Sequence, residues 1–483
     1  MSIKTIYKLL SSLSGNELRG FAEYSRSPFH NTRKDIVKFL TYLLSVYPDP
    51  EKSEISDETI YKEVYGGKKM NIQVVKNLLH RTTKLCENYL VELALRNDRF
   101  THDTLLIAEL QKKKLVSYAN KKADKGIIFQ NQNEGYSLNF LKKNYDLLEL
   151  KHQLTDGHDS KFKISSNSRK LPAAVKYMMV TILRTLNDYE VNSFVEAHEN
   201  RNAYIERIDE FLNFEKLLET IKQSEPKDYP LVACYYYGLM SKTNDPDGLY
   251  REKLKQLSFE NIERFRQVDN IEFWQMIFAS YIFSRSSKGP VDVKTLHEIN
   301  KMYVNRGVIY RDDDGFVNEN SYHNIAMQAI GSRDFQWAEE FINSYRDQLE
   351  PSVRENTYNF LMGYFNVSRA DYNNVIKYLS RIKSPDIPVN LTVRWMLIRT
   401  YYELGHYFEA ESAIDAFRKF ITSSGRVTRE SISSYPLLLK LTAHLTRAKT
   451  SGKGLKEEMY LKAKNTPNFI GRSWVLEKME ELK

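Results

Sequence analysis

Cysteine is almost missing from this chain: Cys86 and Cys234 are the only two in 483 residues. Both fall in apolar helical stretches, so a disulfide framework is not indicated and the composition fits a reducing compartment. Glycine (19) and proline (13) are scarce too. Proline stands mostly between helical stretches, as at Pro28, Pro48, Pro230, Pro351 and Pro385, which favours an all-α chain. No run reaches the roughly 18 uncharged apolar residues of a membrane span. Leu171 to Leu183 comes nearest, and Lys176 interrupts it. Met1 to Ser14 has Lys8 inside its only apolar run and no small-residue cleavage site, so no leader is expected there and the protein reads as cytoplasmic.

Signals for chemistry are equally thin. The ten histidines are scattered, and none stands beside a cysteine or carboxylate at metal-ligand spacing. His152, Asp156, His158 and Asp159 form one local cluster, which reads as a solvated loop. Gly66-Gly67-Lys68-Lys69 and Ser451-Gly452-Lys453-Gly454 lack the spacing that folds backbone amides and a lysine around phosphates, so both read as turns. No Gly-x-Ser-x-Gly nucleophile elbow occurs. Neither a cofactor, a metal nor a catalytic group is expected.

What the chain does have is ordinary globular composition, with 42% hydrophobic and 28% charged residues, so long disorder is not expected. Its net charge of +9 is uneven. Residues 1–176 carry 30 Lys and Arg against 20 Asp and Glu, and the remainder 41 against 42. In this basic part the longest regular pattern runs from Asn71 to Asn97, with Val75, Leu78, Leu79, Leu85, Cys86, Tyr89, Leu90 and Leu93 on one stripe. Further helices are expected over Ile3–Leu13, Gly15–Tyr24, Arg33–Tyr47, Thr101–Lys122 and Tyr136–Leu154. Ser56 is placed to cap a short helix with Asp57 and Glu58 in its first turn. A polar stretch from Thr155 to Leu171 marks a boundary. Pro172–Asn187, Ala203–Lys222, Pro230–Ser241 and Asn270–Ser284 then read as helices, the last apolar almost all round. Beyond Ile421 come Ser431–Lys449, Leu455–Lys464 and Ser473–Leu482.

The strongest pattern lies between Glu319 and Ile421. Phe335, Tyr372 and Tyr407 each follow a short polar turn (Arg333-Asp334, Ala370-Asp371, Gly405-His406), and each is followed three residues later by Ala338, Val375 or Ala410. The anchors stand 37 and 35 positions apart. A period in this range marks stacked units that cannot bury their apolar faces alone. In the third unit Leu397, Tyr401, Gly405, Tyr407, Ala410, Ile414 and Phe417 take the spacing of two antiparallel helices meeting at Gly405, which suits a left-handed turn.

These residues resemble the tetratricopeptide repeat, whose period is about 34 residues. The second unit keeps Gly363 in its first helix, while the first has Ala326 where the family often has glycine. The resemblance covers about 100 residues and implies a right-handed α-solenoid. It also implies a concave face lined by the first helix of each hairpin. On that face would stand Asn320, His323, Met327 and Ile330, then Phe360, Tyr364 and Val367, then Trp395, Arg399 and Tyr402. Trp, Tyr and Arg are the types that dominate interface energetics. Some family members clamp a peptide carboxylate with lysine, asparagine and arginine in this groove. Here Phe360, Tyr364 and Thr392 are among the occupants, so that recognition is not expected.

The expected architecture is all-α. A basic N-terminal helical region (1–160) precedes degenerate hairpins (161–310), tetratricopeptide-like repeats (311–421) and a C-terminal helical cap (422–483). The expected function is a non-catalytic scaffold that holds a protein or peptide partner at His323, Met327, Phe360, Tyr364, Trp395, Arg399 and Tyr402. A second reading is a nucleic-acid-binding regulator, with Lys68, Lys69, Lys76, Arg81 and Lys84 along a basic edge.

Overall fold

The computed structural model describes residues 3–46, 55–66, 70–133, 136–154, 160–195, 203–283, 292–383, 386–423, 435–452, 455–467 and 469–482. Among them the chain is all-helical, with twenty-four α-helices and no strand. It divides into two compact units, Met1–Met178 and Met179–Lys483. Of the cluster His152, Asp156, His158 and Asp159, the last three lie outside the described residues, as do Lys68, Lys69 and the Lys453-Gly454 pair, while His152 is helical.

Unit 1 begins with α1 (Ile3–Ser11), α2 (Gly15–Arg26), α3 (Lys34–Val46) and α4 (Asp57–Tyr65), all packed on the long α5 (Ile72–Asn97). Their contact faces are the expected apolar ones: Phe21, Phe39, Ile60, Val75 and Cys86 are buried in one core. Ser14 closes a capping box on α2, its hydroxyl accepting from the Glu17 N–H while the Glu17 carboxylate accepts from the Ser14 N–H at 2.7 Å. Ser56 caps α4 as its position suggests.

The expected single pattern from Thr101 to Lys122 is instead two helices, α6 (Arg99–Lys112) and α7 (Val116–Asn133). Lys114 breaks it by taking a left-handed φ of 61°. The Leu115 N–H then donates to the Leu110 carbonyl at 2.9 Å, closing the helix end. With α8 (Leu138–Gln153) this hairpin buries Ile107, Ala119, Ala123 and Leu147.

The division between units falls inside α9 (Ser160–Val195), so Ser165-Ser166-Asn167-Ser168, expected in a linker, is helical. Pro172 is an interior residue of α9, where it leaves one intrahelical bond unmade.

Unit 2 continues with α10 (Ala203–Phe211) and α11 (Phe214–Ser224). The expected helix Ala203–Lys222 splits between them because Asn213 caps the second with its side chain. Next come α12 (Tyr229–Thr243), α13 (Leu249–Glu260), α14 (Gln267–Ile282) and α15 (Val293–Val304). α13 and α15 have no counterpart among the helices expected from sequence. Then follow α16 (Glu319–Gly331), α17 (Phe335–Tyr345), α18 (Pro351–Ser368), α19 (Tyr372–Leu379), α20 (Ile387–Glu403) and α21 (Tyr407–Ser423). The unit closes with α22 (Tyr435–Ser451), α23 (Glu457–Asn465) and α24 (Arg472–Glu480).

The three aromatic anchors are the first residues of α17, α19 and α21. Two residues before each, Arg333, Ala370 and Gly405 take left-handed φ values of 65°, 58° and 76°. The following N–H groups of Asp334, Asp371 and His406 reach back to the carbonyls of Ala329, Asn366 and Tyr401 at 3.1, 2.9 and 2.9 Å. The small residues Ala338, Val375 and Ala410 are fully buried. At Gly363 an added Cβ would meet Leu379 Cδ2 at 2.3 Å, so glycine is what lets α18 and α19 pack this closely.

Candidate functional site

The first helices of the hairpins touch along one side: α12 packs on α14, α16 on α18, and α18 on α20. α14 and α16 pack less closely than these pairs, and residues of both line a cavity of about 560 Å³. That volume lies within the range of ligand pockets. Its apolar walls come chiefly from α14, through Ile271, Trp274, Phe278, Ile282 and Phe283. Here lies the reason α14 is apolar almost all round: one side packs into the unit, and another faces the cavity.

The polar part of the lining starts from α9 and α12. Asn187 is buried, and its Nδ2 donates to the Leu183 and Tyr235 carbonyls at 2.8 and 3.0 Å. Its Oδ1 accepts from Lys242 Nζ at 2.5 Å. Lys242 is 1% exposed, and burial pulls its ammonium down from 10.5 to about 8, against the opposing pull of Asp188 and Glu190. Gly238 makes the junction possible, since a Cβ there would stand 2.7 Å from Met276 Sδ and 3.1 Å from Asn187 Oδ1. On the α14 wall, Glu272 accepts from Arg184 Nε at 2.6 Å and from the Tyr235 hydroxyl at 2.9 Å. Burial raises its carboxyl pKa, and these two partners oppose the rise.

On the opposite wall, Asn300 of α15 donates through Nδ2 to Gln328 Oε1 of α16 at 2.7 Å. Asn300 Oδ1 and Trp274 Nε1 are both buried and neither has a hydrogen-bond partner. Trp274 is held by stacking on Tyr303, with ring centres 5.7 Å apart. Tyr303 is in turn held at its hydroxyl by Ser258 at 2.8 Å.

The sequence-derived groove residues lie further along the same row. On α16 and α18, His323, Met327 and Tyr364 are half-buried, and Phe360 is buried with its ring 5.5 Å from His323. Burial lowers the His323 pKa. Ile330 and Val367 are buried, and Asn320 is exposed. On α20 the structure gathers Trp395, Arg399 and Tyr402 around one residue of the C-terminal helix, Trp474. The rings of Trp395 and Tyr402 each stand 5.3 Å from that of Trp474, edge to face, and the Arg399 guanidinium lies over it at 5.9 Å. Trp474 Nε1 donates to Glu403 at 2.5 Å, and Lys478 pairs with Glu403 at 3.4 Å. Trp395 and Tyr402 are thus buried beneath α24, at 8% and 4% exposure.

Elsewhere the polar clusters are structural. Asp334 caps α17 and accepts from His297 and Lys301 at 3.0 and 2.8 Å, which holds its carboxyl down to about 2. Among the described residues no group of three or more His, Cys, Asp or Glu could hold a metal ion, and no helix is long and apolar enough to cross a membrane. In unit 1, Lys76, Arg81 and Lys84 are exposed on the outer side of α5, with Lys84 paired to Glu87 at 3.4 Å.

Sequence reading missed the cavity because its lining comes from residues as far apart as 187 and 328. One signal was present: Asn187, Lys242 and Asn300 are polar residues on otherwise buried helix faces. Compared with models of known protein families and with curated proteins, the chain matches none.

Proposed function

We propose that unit 2 is a right-handed α-solenoid of tetratricopeptide-like hairpins, acting in the cytoplasm as a non-catalytic interaction scaffold that holds a partner segment along the row of first helices. The observation that carries this reading is the looser packing in that row between α14 and α16, where both helices line an apolar-walled cavity. Further support comes from the turn geometry. Arg333, Ala370 and Gly405 share one left-handed turn conformation, each two residues before its anchor. The half-buried His323, Met327 and Tyr364 extend the same row toward α18, so the partner's path runs from the cavity along α16.

The test is to fill the cavity from its exposed lining. Gln275→Trp combined with Asn324→Trp adds bulk at two solvent-facing positions. Proteins that co-purify with the full-length chain from its native cell are expected to be lost with this variant. They are expected to persist with Phe408→Ser, a change at an exposed residue of α21. An identical set of co-purified proteins from wild type and the filled variant would reject the cavity as the docking point.

A further inference from the structure

The α14–α16 cavity combines apolar walls with an unusual share of carboxamides: Asn187, Asn192, Gln275, Asn300, Asn324 and Gln328 all line it. A carboxamide carries both a donor and an acceptor, the same pair that a peptide group presents. Two lining residues also hold polar atoms that the fold leaves unmet, the acceptor Asn300 Oδ1 and the donor Trp274 Nε1. Asn300 and Tyr303 are one turn apart on α15, and Trp274 stacks on Tyr303. A buried polar atom without a partner is costly, so an occupant offering one N–H and one C=O together would relieve both. Each atom is closed to bulk solvent. A ligand reaches them through the side-chain adjustment that commonly accompanies binding.

Charge does not select the occupant. Among the described residues Lys242 is the one cationic side chain of the lining, it is already bonded to Asn187, and Asp188 and Glu272 stand in the same lining. The field there does not favour an anion, which separates this site from recognition of a terminal carboxylate.

We infer that the cavity takes a short, extended, uncharged peptide segment with apolar side chains, reading the backbone C=O and N–H of one of its residues, which point to the same side of an extended chain, through Trp274 Nε1 and Asn300 Oδ1. This rests on the scaffold reading above and specifies what the partner presents. The carboxamides come from four helices, α9, α14, α15 and α16, so they face the occupant from more than one side.

The probe is a pool of random decapeptides, acetylated and amidated so that neither end is charged, selected on the full-length protein. Expected are enriched sequences rich in apolar residues, with affinity changing less than about twofold between low and high salt. Trp274→Phe keeps a ring and removes the N–H; Asn300→Leu keeps the volume and removes the amide. Each is expected to weaken an enriched peptide about tenfold, as is N-methylation at one internal peptide bond. The N-methyl series is read on the wild-type protein, so it stands even if a variant fails to fold. Three results would overturn the inference. One is enriched peptides that bind equally well to both variants and after N-methylation at every bond. Another is enrichment of acidic sequences with strong salt dependence. The last is no enrichment at all while co-purification stays sensitive to cavity filling, which would leave the scaffold reading standing; loss of both would remove that reading as well.

Discussion

Two stretches of the same helix row meet opposite fates. At α20, Trp395, Arg399 and Tyr402 find an intramolecular partner in Trp474, and the last helix seals them. Between α14 and α16, Trp274 is as well buried, at 6% exposure, yet its N–H has no partner and the space beside it stays open. Both places offer aromatic rings and polar side chains, so residue type does not separate an open cavity from a sealed core. What separates them is the open space beside the ring and the partner of the tryptophan N–H; both ends keep other buried polar atoms without a partner, Asn300 Oδ1 at one and Tyr402 Oη and Arg399 Nε at the other. Trp474 bonds its own N–H to Glu403, and Trp274 has no such neighbour.

The contrast can be broken most forcefully at its sealed end. Trp474→Ala removes the ring that Trp395 and Tyr402 both touch, and a loss of about 3–5 kcal/mol in unfolding free energy is expected by denaturant titration. A loss under about 1 kcal/mol would mean that α24 merely rests on α20.

Lys242 tests the open end through pH. Its ammonium is held at about 8 in the folded chain against 10.5 when free, so the unfolded chain binds more protons between those values. Stability therefore rises with pH across that window, by about 3 kcal/mol for this one group. Below about pH 8 both states are protonated and the burial penalty is fully present. Urea unfolding of wild type against Lys242→Met from pH 7 to 10.5 should show wild type gaining relative to the variant. A constant difference would place the lysine in solvent.

Between the two ends, Gly363→Ala sharpens the comparison by forcing α18 and α19 apart against the Leu379 side chain, at an expected cost of about 1–3 kcal/mol. The smallest effect is expected at the cavity itself. Gln275→Trp with Asn324→Trp should move stability by no more than about 0.5 kcal/mol while abolishing partner capture. A large loss of stability there would show the cavity to be part of the core.

The helix turns were legible where local chemistry dictates them. Phe335, Tyr372 and Tyr407 mark the starts of second helices, and Gly405 announces a left-handed turn because glycine pays no Cβ penalty there. Arg333, Ala370 and Lys114 adopt the same conformation without any such signal. At Lys114 the break between α6 and α7 was invisible, since a lysine-rich run reads as continuous helix. Yet Val116 begins α7 two residues later and Ala119 is fully buried, the spacing seen in the three later hairpins. The burial of Trp395 and Tyr402 was not legible in the groove helices, because it depends on Trp474, more than 70 residues away. The cavity escaped for the same reason: its walls are set by tertiary placement, and periodicity along one helix carries no record of a missing neighbour.

Placing a photo-crosslinking residue at one end of the row or the other measures most directly which end is open. The crosslinker would replace Gln275 beside the cavity or Glu477 on α24, both exposed, in the full-length chain within its native cell. Covalent partner adducts from position 275 and none from position 477 are expected. Adducts from 477 with none from 275 would contradict the assignment and make the α20–α24 end the place where a partner docks.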